Sequence, residues 1–141
     1  YNIGVDYHKK FSYFVVKDEK GKTLRSRQVI NSKQEVENFL RDLIGEKKAV
    51  IESCRNWMVM HDWLEDLVDE VVLANPYKVK AIAEAKIKTD KIDANVLADL
   101  LRADMVPRCW IADKRTRDLR NLLRERMFFV RLRTMTKNRI T

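Results

Sequence analysis

The chain has 141 residues, 29 of them Lys or Arg and 21 Asp or Glu, and a formal net charge of +8. This length suits one domain with one appended element, and an apolar content of 45% excludes a disordered chain. No apolar run is long enough to span a membrane, and the first residues do not resemble a secretory leader. The two cysteines are far apart, which argues against a disulfide framework and against a zinc site. We therefore expect a cytosolic protein with reduced thiols and no membrane partner.

The positive charge is concentrated in the second half of the chain. Residues 1–70 contain 12 Lys or Arg and 13 Asp or Glu, whereas residues 71–141 contain 17 and 8. This asymmetry indicates a polyanionic partner, and nucleic acid is the first candidate. A basic surface that serves only solubility is the alternative interpretation.

The first part of the chain has the pattern of β-strands. Residues 2–7 alternate, which places Gly4 and Asp6 on one face of a strand. Residues 11–17 are aromatic and β-branched, and residues 23–30 follow a glycine-containing turn. Short links predict that these three strands form an antiparallel meander. Two further strands are predicted at 48–53 and 70–74.

Helices are predicted between and after the later strands. The first follows a cap at Asn31 or Ser32 and carries an apolar stripe that ends at Leu43 and Ile44. The others are predicted at 57–67, about 77–87, about 91–104, and from Asp113 to the end of the chain. The helix at about 77–87 follows a cap at Asn75 and a proline, Pro76, at the first helical position. This order predicts an α/β fold, with a mixed five-stranded sheet, helices on both faces and a long basic C-terminal helix.

Four acidic residues are placed where a folded chain can gather them. Asp6 and Glu52 lie near the ends of the first and fourth strands, which are plausible neighbours. Asp90 and Asp93 are three residues apart and extend the apolar stripe of a helix, so their charges need a partner. Mg²⁺ is suitable because it prefers carboxylate oxygens. The acids therefore predict a metal site.

Each acid also has a structural interpretation. Asp90 can cap its helix, with Asp93 favoured by the helix dipole in the first turn. Asp6 can pair with a nearby lysine, and Glu52 can pair with Arg55. The combination of two acids at strand ends and an i, i+3 pair favours the metal site.

Several segments resemble the DEDD transposase/recombinase family of insertion sequences, to which the Piv-type DNA invertases also belong. The most specific string is Lys-Thr-Asp-Lys-Ile-Asp-Ala at residues 88–94. The matching segments, in order along nearly the whole chain, are Ile3–Lys10, Ile51–Trp57, Leu73–Lys80, Lys86–Ala94, Asp99–Arg102 and Arg133–Arg139.

The resemblance implies a fold and an activity. The fold would be ribonuclease H-like, of the RuvC type, and the DEDD acids of the family map onto Asp6, Glu52, Asp90 and Asp93. These residues would be both catalytic and metal-binding, with two Mg²⁺ or Mn²⁺ ions, in an enzyme that cuts and rejoins DNA at insertion sites. Several members use a structured guide RNA. The resemblance also implies a prokaryotic, nucleoid-associated protein and a C-terminal domain with a catalytic serine, which we expect this chain to lack.

Basic residues are candidates for nucleic-acid contacts. His8, Lys9 and Lys10 follow the first acid, and Lys88 precedes the acidic pair, although a structural role for His8 and simple solvation of the lysines are alternatives. The C-terminal helix presents one basic face, formed by Arg117, Arg120, Arg124 and Arg131. Its alternative role is dimerisation or domain contact, and we expect a homo-oligomer formed through this helix.

These observations predict a catalytic domain at residues 1–112 and the start of a basic helical segment at 113–141. Two other functions stay open. A stand-alone RuvC-like junction-resolving endonuclease would need the same acids but no second domain. A non-catalytic nucleic-acid-binding module would use the acids only structurally.

Overall fold

A computed structural model describes residues 1–83 and 89–140. The strands are β1 (Asn2–Tyr7), β2 (Phe11–Lys17), β3 (Thr23–Ile30), β4 (Lys48–Glu52) and β5 (Glu70–Ala74). They form one mixed sheet with the order β3-β2-β1-β4-β5. β1 pairs antiparallel with β2 and parallel with β4; β2–β3 is antiparallel, and β4–β5 is parallel. The predicted α/β fold with a mixed five-stranded sheet is confirmed.

Five helices are present in the described part of the chain. They are α1 (Lys33–Leu40), α2 (Trp57–Glu65), α3 (Pro76–Ile82), α4 (Asp90–Arg102) and α5 (Lys114–Ile140). Ser32 caps α1, Asn75 caps α3 with Pro76 at its first turn, and Asp113 accepts a hydrogen bond from the amide of Thr116. The part of the predicted helix at 77–87 that falls on residues 84–87 lies outside the described residues.

One local prediction and one alternative interpretation were wrong. The helix predicted to include Ile44 ends at Leu40, so Leu43 is buried but the side chain of Ile44 is 88% exposed. Asp90 is not a helix cap, because Thr89 has that position: its hydroxyl oxygen accepts a hydrogen bond from the amide of Ile92. Asp90 is instead the first residue of α4.

Helices cover both faces of the sheet, as predicted. On one face, Val15 of β2 packs with Ala94 and Ala98 of α4. Phe14 is the next residue along β2 and therefore points to the opposite face, where its ring lies 5.2 Å from that of Phe39 in α1. The core thus has two layers, one on each side of the sheet.

The chain separates into two compact units. Residues 1–109 contain the sheet and helices α1 to α4, and residues 110–141 contain α5. In the second unit, the guanidinium of Arg120 lies 5.4 Å from the ring centre of Trp110. Within the described residues, no helix is long and apolar enough to cross a membrane.

Candidate metal centre

Asp6 lies near the carboxyl end of β1, on the face of the sheet that α4 covers. Gly4 shows that α4 lies against this face. A Cβ atom added at Gly4 would lie 2.0 Å from the carbonyl oxygen of Ala94 and 2.6 Å from the amide nitrogen of Ala98, both in α4. Side chains two residues apart in a strand share a face, so Asp6 points to the same side as Gly4. This close approach of two backbones brings the N-terminal end of α4 next to Asp6.

The imidazole of His8 lies between two of the acids and contacts both. Its Nε2 atom lies 3.0 Å from Oδ2 of Asp6 and 3.3 Å from Oδ1 of Asp90. The Asp6 side chain is 22% exposed, whereas those of His8 and Asp90 are 42% and 44% exposed. The three side chains therefore form a cluster that is open to solvent on one side.

The electrostatics of Asp6 show that a third acid is close. Burial raises the pKa of Asp6, the neighbouring His8 lowers it, and the negative charges of Asp90 and Asp93 raise it again. A carboxylate surrounded by other carboxylates is a position that a cation would stabilise.

Glu52 is placed beside Asp6 by the register of the parallel strands. Gly4 of β1 pairs with Val50 of β4, and Val50 shares a core cluster with Leu97 of α4. The next residues on that face are Asp6 and Glu52, one in each strand. The thiol of Cys54 supports this placement, because the charges of both Glu52 and Asp6 raise its pKa, in addition to the larger effect of burial.

The donor atoms fit a divalent metal ion. One ligand atom each from Asp6, His8 and Asp90 lie within 4.8 Å of one another. Carboxylate oxygens suit hard divalent cations, and an imidazole nitrogen adds a donor that transition metals accept. Asp93 and Glu52 border this group and offer further carboxylate oxygens.

Comparison with protein families finds one family that matches nearly the whole chain. Residues 3–141 match the IS110-type DEDD transposase family, which is described as a transposase. The chain belongs to this family. Comparison with curated proteins returned no match. The family acts on DNA, its name contains the acidic motif, and it implies the use of a divalent metal ion.

The basic residues predicted to contact nucleic acid in this transposase differ in exposure. Lys9 and Lys10 are exposed in the turn after β1, and Lys88 lies outside the described residues. On α5, Arg120, Arg124 and Arg131 are exposed. Arg117 is only 8% exposed, and its contact with phosphates stays a prediction.

Sequence reasoning did not identify three contributors to the centre. Thr89 caps α4, Cys54 lies near two of the acids, and Gly4 allows α4 to approach β1. The threonine before an acidic helical turn was a visible signal of a cap. A glycine inside an otherwise apolar strand was a weaker signal of close backbone approach.

Proposed function

We propose that this transposase domain supplies the metal-dependent part of DNA strand cleavage and rejoining, with Asp6, Glu52, Asp90 and Asp93 as the metal ligands, while the serine step that the family resemblance implies lies outside it. The observation that carries the proposal is the convergence of Asp6 and Asp90, with Asp93 and Glu52 beside them, in a chain of a DEDD family. Family membership favours this function over that of a junction-resolving endonuclease.

The four acids would hold Mg²⁺ or Mn²⁺, as a pair of ions in this reaction class, and the metal would supply activation of the nucleophile and stabilisation of the leaving oxygen. The chain's own residues have simpler tasks. Asp6 is fixed by β1, and Asp90 and Asp93 by the first turn of α4, so their carboxylates are preorganised without a large loop rearrangement. Lys9 and Lys10 can attract the phosphate backbone toward the acids.

The long helix supports a second part of the proposal. Its exposed arginines suit the phosphates of DNA, and its exposed apolar residues suit self-association through α5. These apolar residues include Leu119, Leu122, Leu123, Met127 and Val130. Guidance by a structured RNA stays a prediction that rests on the family resemblance alone.

The experiment is a DNA strand-cleavage assay in Mg²⁺, in Mn²⁺ and in a chelator, with the wild-type protein, Asp6→Asn and Asp66→Asn. Asp66 is the matched control, because it is an exposed aspartate that pairs with Lys33 at 2.6 Å, far along the chain from the four acids. We expect cleavage only with metal, loss of cleavage in Asp6→Asn, and unchanged cleavage in Asp66→Asn.

DNA binding is measured in parallel by electrophoretic mobility shift. Asp6→Asn should retain it, because the substitution removes a metal ligand and little volume. Cleavage that persists in Asp6→Asn, or that is insensitive to chelation, would overturn the proposed function.

A further inference from the structure

We propose that His8 is itself a ligand of the metal, together with Asp6 and Asp90, and that its nitrogen makes the centre prefer Mn²⁺ to Mg²⁺. This inference rests on the proposed function, since it adds a ligand and an ion preference to the same centre. It differs from the expectation for the acids alone, which would form a site with oxygen ligands only.

The distances within the cluster, one of which is a hydrogen bond between His8 and Asp6, also suit neighbouring ligands on one ion. Ligand atoms bound at about 2.1 Å are about 3.0 Å apart at an octahedral angle and about 3.4 Å apart at a tetrahedral angle. Nε2 of His8 is 3.0 Å from the Asp6 oxygen and 3.3 Å from the Asp90 oxygen. A single ion can therefore contact all three atoms after only small side-chain movements.

The backbone of His8 is held in place by two hydrogen bonds. The amide of His8 donates a hydrogen bond to the carbonyl of Phe11 at 3.1 Å, and the side chain of Asn31 donates one to the carbonyl of His8 at 2.6 Å. Asn31 in turn accepts a hydrogen bond from the buried hydroxyl of Ser12 at 2.6 Å. The ring centre of Phe11 lies 5.2 Å from that of His8. These contacts fix the backbone from which the His8 ring projects toward Asp6 and Asp90.

The donor set decides the preferred ion. Mg²⁺ binds through oxygen ligands and water, and it gains little from an imidazole nitrogen. First-row transition ions accept imidazole as well as carboxylate, and Mn²⁺ is the member of that series that carboxylates also suit. Two carboxylate oxygens and one imidazole nitrogen therefore favour Mn²⁺ over Mg²⁺ more than carboxylates alone would.

The chain is well suited to a direct test, because it contains only two histidines. The second, His61, also lies near two carboxylates: its Nδ1 atom is 3.4 Å from Asp62 and 3.9 Å from Glu65. His61→Gln therefore controls for any nitrogen signal that comes from a histidine beside acids. Pulsed electron paramagnetic resonance of bound Mn²⁺ reports a directly coordinated imidazole nitrogen.

We expect a nitrogen coupling to Mn²⁺ in the wild-type protein and in His61→Gln, and its loss in His8→Ala and His8→Asn. Calorimetric titration should show that the Mn²⁺ affinity of His8→Ala falls by more than about tenfold, with a much smaller change for Mg²⁺. The wild-type spectrum needs no variant, so a folding defect in either substitution does not affect it.

Two outcomes separate this inference from the proposed function. If Mn²⁺ binds, is lost in Asp6→Asn, and shows no imidazole nitrogen, His8 is not a ligand and only the inference fails. If Mn²⁺ does not bind at Asp6 at all, the proposed function fails with it.

Discussion

Substitution of Gly4 by Ala tests how the fold positions the acids. An added Cβ would lie 2.0 Å from the carbonyl oxygen of Ala94, and real Cβ contacts are essentially never shorter than 3.0 Å. Backbone atoms of a helix cannot rotate away, so α4 must move from β1 by about 1 Å or more. We expect a loss of about 1–3 kcal/mol in the free energy of unfolding, as for other overpacked cores.

The same movement should weaken the metal centre. Asp90 is on α4 and Asp6 is on β1, so a shift of the helix separates their carboxylates. Misplacement by about 1 Å can lower a rate by about 100-fold, and metal affinity should fall with it. The assays are chemical denaturation and calorimetric titration with Mn²⁺, both with the wild-type protein as reference.

Gly45→Ala is the control for this substitution. Gly45 has a φ of +114°, so alanine there is strained, yet nothing lies within 4 Å of its added Cβ. This variant should lose stability and keep its affinity for Mn²⁺. If Gly4→Ala keeps wild-type Mn²⁺ affinity, or if Gly45→Ala loses as much affinity, then the contact between β1 and α4 does not position the centre.

Three further predictions concern charge. Burial and acidic neighbours raise the pKa of Asp6 in the folded chain, so the folded state holds this proton at a higher pH than the unfolded state. Without metal, ionisation of Asp6 should therefore lower the free energy of unfolding as the pH rises from the ordinary pKa of an aspartate through the raised one. Denaturation at a series of pH values should show that Asp6→Asn removes this loss, and an unchanged pH profile in Asp6→Asn would contradict the prediction. Lys17 is buried and pairs with Asp99 on α4 at 2.6 Å, so Lys17→Met should cost about 1–3 kcal/mol by denaturation. Lys33→Met breaks an exposed pair of the same length and should cost less than about 1 kcal/mol, and equal losses would refute the argument from burial. Each phosphate contact adds about 0.9 to the slope of log affinity against log salt concentration for duplex DNA, so replacing three exposed arginines of α5 by alanine should flatten that slope. An unchanged slope would indicate that α5 contacts protein instead of DNA. The three substituted residues are Arg120, Arg124 and Arg131.

Local patterns were sufficient to predict the sheet and most helices. The alternation in residues 2–7 predicted a strand with Gly4 and Asp6 on one face, and the structure has that strand and that face. The Asn75–Pro76 pair predicted the start of α3, because a capping side chain and a fixed proline φ act over a few residues only.

Features that depend on distant contacts could not be predicted. The contact of Gly4 with Ala94 joins residues that are far apart in the chain, and no local pattern encodes it. Likewise, the position of His8 between two carboxylates requires that α4 reach the end of β1.

The central claim is that these acids hold divalent metal ions at the carboxyl end of β1. The most direct measurement is a crystal structure of the protein soaked in Mn²⁺, with anomalous diffraction to locate the ion. We expect the principal anomalous peak between the carboxylates of Asp6 and Asp90 and next to Nε2 of His8. A principal peak at His61, Asp62 and Glu65, or no peak beside Asp6, would contradict the account.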